Sequence, residues 1–265
     1  MQNHSVDNKA WLKAQNLPSN VYAGQTFAIS DEQVWKNMPQ DDYLQHNFAL
    51  HVGDHPQKVQ QQRMKLLNQL SSFGVQSLHW LNQTHSTTVH RIGGKVSHHV
   101  LDGDAWVTQQ HGVGLVIMTA DCMPIVLCDK DGREVACLHA GWRGLLNGMI
   151  EQTVQEMQYP AHFAWMGVAI SQANFEVGAE VREAFVASDA DFAHDFIVKE
   201  NSSGEKYLAD LYSIARKKLR RLGVQYITGG DDCSFANPNY YSYRRNAKTG
   251  RMVTFVFIAK SSQEK

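Results

Sequence analysis

Three apolar runs in quick succession constrain the fold of this chain most strongly. They cover residues 114–119, 125–128 and 135–139, and only short polar segments separate them. The first run is nearly continuous, which is typical of a strand whose two faces are both buried. Residues 129–132, between the second and third runs, have the Asp- and Gly-rich composition of a hairpin turn. The three runs therefore predict neighbouring strands in a layered structure.

Helical patterns occur between the predicted strands without regular alternation. Helices are predicted over residues 58–73, 144–157, 179–187 and 208–222. The remaining predicted strands are residues 21–29, 75–81, 87–92, 105–108, 163–170, 224–228 and 252–259. Because strict βαβ alternation is missing, we expect an α+β fold of layered mixed sheets rather than a doubly wound sheet. No linker or internal repeat divides residues 1–265, so a single domain is predicted.

Charge and composition argue against several classes of function. The formal net charge is −1, and the basic run over residues 216–221 is interpreted as the solvent face of a helix, so no nucleic-acid partner is expected. No apolar stretch approaches the roughly 20 residues that span a bilayer, so no membrane partner is expected. The four cysteines do not resemble a secreted disulfide framework, and we expect a cytoplasmic protein with reduced thiols. The sequence leaves the oligomeric state open.

Three residues stand out as candidate metal ligands: His85, Cys122 and His139. Each lies where an apolar run meets a polar or glycine-containing loop, a usual place for functional side chains. Imidazole and thiolate are ligands that zinc favours, and three protein ligands leave a fourth position open for water or substrate. Cys122 and His139 are equally the nucleophile and base of a metal-free cysteine hydrolase. Spacing alone leaves both interpretations open.

Longer motifs around these residues resemble one known family. The segments TADCMPIVL and VACLHAGWRGLLNGMIEQTV closely resemble the YfiH family, also called the laccase-domain or multicopper polyphenol oxidase-like family. Members of that family are regarded as purine nucleoside phosphorylases. The resemblance extends over almost the whole chain, through NFALHVGDHP, LNQTHS, DGDAWVT, FEVGAEVREAF, KYLADLY and SYRRNAKTGRM. The order TADC, HAGWRG, SYRR is highly specific to the family.

The resemblance implies an α/β/β/α layered fold and a zinc ion held by His85, Cys122 and His139. The implied activity is phosphorolysis of adenosine, inosine or guanosine to the free base and ribose 1-phosphate. Methylthioadenosine cleavage and adenosine deamination are implied as companion activities. The partners would then be a purine nucleoside and phosphate.

Three alternatives remain at this stage. The family is related to bacterial toxins with a Cys–His deamidase site, which keeps open a metal-free amide hydrolase acting in cell-wall precursor editing. The same ligands also bind copper in vitro, but a multicopper polyphenol oxidase needs more histidine ligands than the three that converge here. The third alternative is a non-enzymatic protein that has kept the fold after losing activity.

Arginines near the motifs are candidates for holding phosphate. Arg143 is nearest in sequence to the proposed ligands, and its guanidinium has a fork geometry suited to phosphate. We therefore predict that Cys122, His139 and Arg143 carry the catalysis. Arg244 is predicted to bind substrate, and Arg245 is a further candidate. For each arginine, a surface salt bridge is the simpler alternative.

Four other residues are predicted to line or support the site. Asn47 and His51 lie in a family-like loop and are expected to bind substrate. Trp142 is interpreted either as a ring that stacks on a purine or as a packing residue of the hairpin. Asp121, beside the proposed thiolate ligand, is expected either to orient a ligand or to cap a turn.

The sequence departs from the family pattern in three places. A Thr-Arg-x-Gly-Gly-x-Ser motif is missing from residues 28–39, and a Gly-Pro pair is replaced around residues 167–172. Asp232 stands where an arginine is common. The loss of a loop arginine predicts weaker binding of phosphate or substrate, and it puts substrate choice in doubt. None of these changes affects the three proposed ligands.

Overall fold

The computed structural model describes residues 11–29, 43, 46–93, 100–200 and 204–260. In these residues two large β-sheets pack face to face, and helices cover their outer faces. This layered α/β/β/α arrangement confirms the expected fold class. That the whole chain forms a single domain stays a prediction. No helix in the described ranges is both long and apolar enough to cross a membrane.

The strands are β1 Trp11–Lys13, β2 Val21–Thr26, β3 Ser77–His79, β4 Leu81–Asn82, β5 Val89–Ile92, β6 Leu101–Asp102, β7 Ala105–Thr108, β8 Val113–Thr119, β9 Met123–Asp129, β10 Val135–Ala140, β11 Ala161–Met166, β12 Glu176–Gly178, β13 Phe196–Val198, β14 Lys206–Ala209, β15 Tyr226–Gly229 and β16 Met252–Ile258. As far as the chain is described, one large sheet has the order β1-β2-β16-β8-β3 and the other has the order β15-β11-β9-β10-β7-β5. Smaller sheets are formed by β12-β14-β13 and by β4-β6. Parallel pairs such as β5–β7 and β11–β15 occur among antiparallel ones, so the sheets are mixed, as expected.

The helices are α1 Pro56–Ser71, α2 Trp142–Leu146, α3 Met149–Glu156, α4 Ala179–Ser188 and α5 Leu211–Arg221. Helix α1 packs Leu66 and Leu70 against the outer face of the five-stranded sheet. Helices α2 to α5 contribute to the core on the outer face of the six-stranded sheet. The basic run lies on α5, where Arg220 and Arg221 are exposed as predicted.

The central strands are apolar along their length because both of their faces are buried. On β9, Val126 and Cys128 face the other sheet, whereas Ile125 and Leu127 face the helices. Cys137 on β10 likewise lies between the sheets. The prediction that Cys128 and Cys137 are small buried side chains is confirmed, because neither is exposed to solvent.

Two predicted helices differ from the structure. Residues 144–157 form two helices instead of one, because Gly148, with a φ of 92°, adopts a left-handed conformation that ends the first helix. The helix predicted over residues 208–222 starts only at Leu211. Its first residues belong to β14, and the Asp210 side chain caps the helix by accepting a hydrogen bond of 2.9 Å from the backbone N–H of Ser213.

Candidate metal centre and substrate cavity

The hairpin of β9 and β10 carries two of the three proposed ligands. Cys122 directly precedes β9, and His139 lies on β10 opposite Pro124. His85 comes from the loop between β4 and β5. One donor atom from each of the three side chains lies within 4.8 Å of the other two. The structure therefore brings together the three residues that the sequence singled out.

These residues line a cavity of about 290 Å³. The cavity combines apolar, aromatic and cationic side chains, the composition of a small-molecule site. Its lining residues are His51, Gln83, His85, Met118, Thr119, Ala120, Asp121, Cys122, His139, Ile170, Phe175, Tyr243, Arg244 and Arg251.

Asp104, a buried carboxylate, contacts both His139 on the β9–β10 hairpin and the loop that carries His85. Its Oδ1 accepts hydrogen bonds from His139 Nδ1 at 2.8 Å and from the backbone N–H of His85 at 3.1 Å. Its Oδ2 accepts bonds from the backbone N–H and the hydroxyl of Ser86 at 2.7 and 2.8 Å. Burial raises the pKa of Asp104, but the bonds from His139 and Ser86 outweigh burial and lower the pKa to about 2. The carboxylate is therefore ionised at neutral pH.

The ionised carboxylate fixes the orientation of the His139 ring. A carboxylate only accepts hydrogen bonds, so His139 Nδ1 must carry a proton, and Nε2 is the nitrogen left for a ligand or substrate. Burial alone would lower the pKa of His139, but the neighbouring Cys122 and Asp104 raise it. Burial would raise the pKa of the Cys122 thiol, but His139 and His85 lower it. The group therefore favours a thiolate, which is the form that binds metals or attacks carbonyl carbons.

Gly141 lies directly behind the thiol. A Cβ atom at this position would come within 2.8 Å of Cys122 Sγ and 3.7 Å of His85 Cδ2. Cys122 Sγ itself lies 4.0 Å from His85 Nε2. The absence of a side chain at position 141 thus lets the three donor groups converge.

The backbone at His85 and Asp121 is unusual for residues other than glycine. Their φ angles are 59° and 91°, in the left-handed region. Asp121 braces a loop late in the chain: Oδ1 accepts a bond from Ser234 Oγ at 2.7 Å, and Oδ2 accepts one from the backbone N–H of Arg244 at 2.6 Å. Asp121 thus lies at the cavity wall while its side chain fixes the segment that carries Arg244.

Gln83 connects the loop that carries His85 to β8, a strand of the five-stranded sheet. Its side-chain amide donates to the carbonyl oxygen of Met118 at 2.8 Å and accepts from the backbone N–H of Met118 at 2.7 Å. This two-point contact attaches the loop to β8 in the manner of an extra strand residue. The position of His85 is therefore set by both large sheets.

Among the predicted arginines, Arg244 lines the cavity and Arg143 and Arg245 do not. Arg143 is exposed at the start of α2, with its guanidinium carbon 4.3 Å from the centre of the Trp142 ring. Arg245 donates hydrogen bonds to the carbonyl oxygens of Ser234 at 2.9 Å and Phe235 at 2.8 Å. Their roles in the reaction stay predictions.

Of the remaining residues predicted for the site, some line the cavity and others do not. His51 lines the cavity, whereas Asn47 is buried beside it. Asn47 Nδ2 donates to Asp54 Oδ2 at 2.9 Å, and its Oδ1 accepts from the backbone N–H of Arg251 at 3.0 Å. Trp142 is half-buried against the core on the outer face of the six-stranded sheet. Neither Asn47 nor Trp142 is among the lining residues, and the substrate contacts expected of them stay predictions.

Of the departures from the family pattern, the segment 167–172 reaches the cavity through Ile170, whereas Asp232 does not. Residues 30–39 of the missing N-terminal motif fall outside the described residues. Asp232 is not a lining residue. Its carboxylate accepts hydrogen bonds from the backbone N–H of Cys233 at 2.8 Å and from Asn237 Nδ2 at 2.9 Å, which stabilise its own loop.

Sequence reasoning missed several residues of the site: Asp104, Gln83, Phe175, Tyr243 and Arg251. A signal existed for Arg251, which directly precedes the predicted last strand. Because the first residue of that strand, Met252, pairs with Thr119, Arg251 lies beside the loop that carries the thiol. No comparable signal exists for Gln83, because its contact with Met118 joins segments 35 positions apart.

Comparison with known proteins gives a consistent result along most of the chain. Residues 35–259 match a family model described as multi-copper polyphenol oxidoreductase laccase. Purine nucleoside phosphorylase YfiH of Escherichia coli is 41% identical over 227 residues, which cover 84% of this chain and 89% of the relative. A purine nucleoside phosphorylase of Haemophilus influenzae is 38% identical over 247 residues, covering 92% and 96% of the two chains.

Solved structures share the fold. A protein of Neisseria meningitidis superposes with a TM-score of 0.84 at 36% identity, covering 95% of this chain and all of that chain. YlmD of Geobacillus stearothermophilus superposes with a TM-score of 0.78 at 24% identity, covering 95% and 97% of the two chains. At that lower identity the likeness concerns the fold alone.

Proposed function

This chain belongs to the multi-copper polyphenol oxidoreductase laccase family, and on that premise we propose that it is a purine nucleoside phosphorylase. The observation that carries the proposal is one cavity in which a His–Cys–His group, aromatic side chains and guanidinium groups meet. Relatives that are 41% and 38% identical and are named purine nucleoside phosphorylases support it. The proposed substrates are adenosine, inosine or guanosine together with phosphate.

The proposed reaction sets clear demands on the site. An oxygen of hydrogen phosphate attacks C1′ of the ribose, the bond from C1′ to the purine nitrogen breaks, and its electron pair leaves with the base. The proton of the hydrogen phosphate ends on the base, so the products are ribose 1-phosphate and the neutral purine. The ribose becomes positively charged in the transition state. The site must therefore hold an anion close to C1′ and the base against a nonpolar wall.

The cavity has side chains suited to the base. Phe175 and Tyr243 provide aromatic faces, and Met118 and Ile170 provide apolar contacts. Tyr243 is 56% exposed, so its ring is open to a ligand. Purines stack well on such rings, and stacking tolerates different substituents on the base. This lining supports a binding mode that accepts several purine nucleosides.

The donor set fits a zinc ion. His85, Cys122 and His139 supply two imidazoles and a thiolate, Asp104 fixes the ring of His139, and Gly141 leaves room for the donors to converge. When bound, the ion would supply a Lewis acid beside the substrate. Copper would use the same ligands in vitro. Across the described ranges this is the single group of three such ligands, so we do not propose a multicopper oxidase.

A second candidate function rests on one specific observation. Asp104, His139 and Cys122 form a carboxylate–imidazole–thiol series in which the carboxylate orients the imidazole and the imidazole favours the thiolate. This is the arrangement of a cysteine hydrolase acting on amides.

Adenosine deamination and methylthioadenosine cleavage belong to the first proposal as companion activities. A cytoplasmic location fits both functions, since all four cysteines are free.

The test compares Cys122→Ala with Cys128→Ala, a matched change at a thiol buried away from the cavity. Each protein is loaded with zinc, its metal content is measured by elemental analysis, and release of the base from a nucleoside is followed with and without phosphate. We expect Cys122→Ala to lose both the metal and the activity, and Cys128→Ala to keep both. Full zinc content and full activity in Cys122→Ala would remove this residue from the site.

Chelation distinguishes the two candidate functions. Phosphorolysis should disappear when a chelator removes the metal and return when zinc is added. An amide hydrolase activity that survives chelation would favour the Cys–His alternative. A zinc-loaded protein that releases no base in the presence of phosphate would contradict the phosphorylase proposal and favour a protein that has lost activity.

A further inference from the structure

Two arginines line the cavity. Arg244 follows the loop held by Asp121, and Arg251 directly precedes β16. Both line the cavity, and His51 lies in the same lining. Asp121 is the one carboxylate in the described lining, and its two oxygens accept bonds from the Ser234 hydroxyl and the backbone N–H of Arg244, so it does not pair with either guanidinium group.

Both guanidinium groups keep donors free for a ligand. Arg251 Nη1 donates to the carbonyl oxygens of Thr249 and Gly250, both at 2.9 Å. Arg244 Nη1 lies 3.2 Å from the carbonyl oxygen of Glu176. In the described part of the chain, Nε and Nη2 of both arginines have no protein acceptor, and neither side chain forms an ion pair. The carboxylate of Glu176 is paired with Lys199 instead.

The two arginines differ in burial, because Arg251 is half-buried whereas Arg244 is exposed. Burial lowers the pKa of Arg251, and the nearby charges of Cys122 and Asp121 act in the opposite direction. Arg63 lies behind the cavity wall, with its guanidinium carbon 3.8 Å from the centre of the Trp80 ring and Nη2 3.8 Å from Met118 Sδ. Partly desolvated guanidinium groups bind oxyanions more strongly than fully hydrated ones.

We propose that Arg244 and Arg251 form the phosphate subsite of the cavity, with His51 at its edge. This inference rests on the proposed phosphorylase function and deepens it by assigning the anion to residues other than Arg143. Both arginines and the His–Cys–His group line one cavity of about 290 Å³, so phosphate held by the arginines would share that space with a nucleoside. The fork geometry of guanidinium matches two phosphate oxygens at once.

The experiment uses zinc-loaded, full-length protein and four variants: Arg251→Gln, Arg251→Lys, Arg244→Gln and the control Arg220→Gln. Arg220 is exposed on α5, outside the cavity lining. For each protein, the KM values for phosphate and for nucleoside are measured. In a second measurement, the shift in Tm caused by inorganic phosphate alone is recorded, because a ligand that binds the folded state raises Tm.

Arg251→Gln and Arg244→Gln each remove one charged hydrogen-bonding group. We therefore expect each variant to raise the KM for phosphate by roughly tenfold to a hundredfold. The KM for nucleoside should change by less than about threefold, because the proposed subsite contacts phosphate alone, whereas a loss of folding would affect both substrates alike. Arg251→Lys keeps the charge without the fork, so its KM for phosphate should be intermediate. The phosphate-dependent rise in Tm should shrink in the same order, and Arg220→Gln should behave as the native protein.

Unchanged phosphate KM values in both glutamine variants, with phosphorolysis intact, would overturn the subsite and leave the phosphorylase function standing. The reverse case is also distinguishable. If the native protein releases no base but inorganic phosphate still raises its Tm in an Arg251-dependent manner, the function fails and the anion site stands. Adenosine 5′-monophosphate serves as a second probe: Arg251-dependent binding of this ester without binding of inorganic phosphate would overturn the assignment to free phosphate.

Discussion

Asp104 Oδ1 lies 2.8 Å from His139 Nδ1, and this contact links the ligands of the β9–β10 hairpin to the loop that carries His85. The same oxygen accepts the backbone N–H of His85 at 3.1 Å. A single buried carboxylate thus positions one ligand through its ring and another through its backbone. The distances between the donor groups depend on a residue that does not itself line the cavity.

Replacing Asp104 with asparagine should weaken metal binding by about tenfold to a hundredfold, because the amide no longer fixes the His139 ring as an anionic acceptor. Competition with a chelator of known zinc affinity measures this change. Asp102→Asn is a matched control two positions away, on an exposed side chain whose carboxylate accepts a bond of 2.7 Å from Asn82 Nδ2. Equal zinc affinity in both variants would show that Asp104 does not position the ligands.

A methyl group at position 141 should displace the thiol. In Gly141→Ala the new Cβ would lie 2.8 Å from Cys122 Sγ, closer than atoms pack, so zinc content should fall while the fold is kept. Gly144→Ala is the control, since its Cβ would have ordinary contacts of 3.4 Å with the His139 carbonyl oxygen and Met149 Cβ. Elemental analysis together with circular dichroism tests the pair. Full zinc content in Gly141→Ala would contradict the proposed geometry.

The cysteines should differ sharply in reactivity. Cys122 is half-buried at the cavity, whereas Cys128 and Cys137 are fully buried, and burial raises the pKa of Cys128 to about 12. In metal-free folded protein, iodoacetamide should therefore modify Cys122 well before Cys128 or Cys137. Mass spectrometry of peptides over time measures the order, and zinc should protect Cys122. Equal rates in the folded protein would contradict the burial of the other two thiols.

The turn between β9 and β10 should make stability depend on pH. Burial raises the pKa of Asp129, but bonds to the backbone N–H of Glu134 at 2.8 Å and to Arg133 Nε at 3.0 Å hold it below its usual 3.8. Because the folded-state pKa is lowered, this contribution is complete above about pH 4 and is lost as the pH falls through the folded-state value. Asp129→Asn should cost about 1–3 kcal/mol at pH 7, and the difference from the native protein should shrink in acid.

Urea unfolding at pH 7 and below pH 4 measures that difference. Asp131→Asn, in the same turn, is the control because its carboxylate is 59% exposed and pairs only at the surface with Arg133 Nη2 at 3.0 Å. This change should alter stability by less than about 1 kcal/mol. If Asp129→Asn kept its full effect in acid, the proposed charge dependence would be wrong.

The sequence predicted the features of the fold that depend on local patterns of apolar residues. The apolar runs of β8, β9 and β10 were recognisable because both faces are buried, and the hairpin between the last two placed Cys122 near His139. Residues 144–157 are predicted as one helix because their apolar spacing continues through Gly148, where a left-handed backbone divides the segment into two helices. Periodicity does not report such a break.

The rest of the site depends on contacts between distant segments. Asp104 and His139 are 35 positions apart, and Gln83 reaches a strand of the other large sheet. Of the arginines predicted from their motifs, Arg244 lines the cavity and Arg143 does not, whereas the register of β16 against β8 places the unpredicted Arg251 there. Proximity along the chain therefore predicted the ligands on one hairpin better than it predicted which arginines line the cavity.

The backbone of His85 has a further consequence. A φ of 59° is a conformation that asparagine or glycine adopts more readily than histidine, so the chain accepts a local energetic penalty to present an imidazole there. Selection for folding alone would favour a different amino acid at this position. The proposed ligand role of His85 would account for a residue type that the backbone itself disfavours.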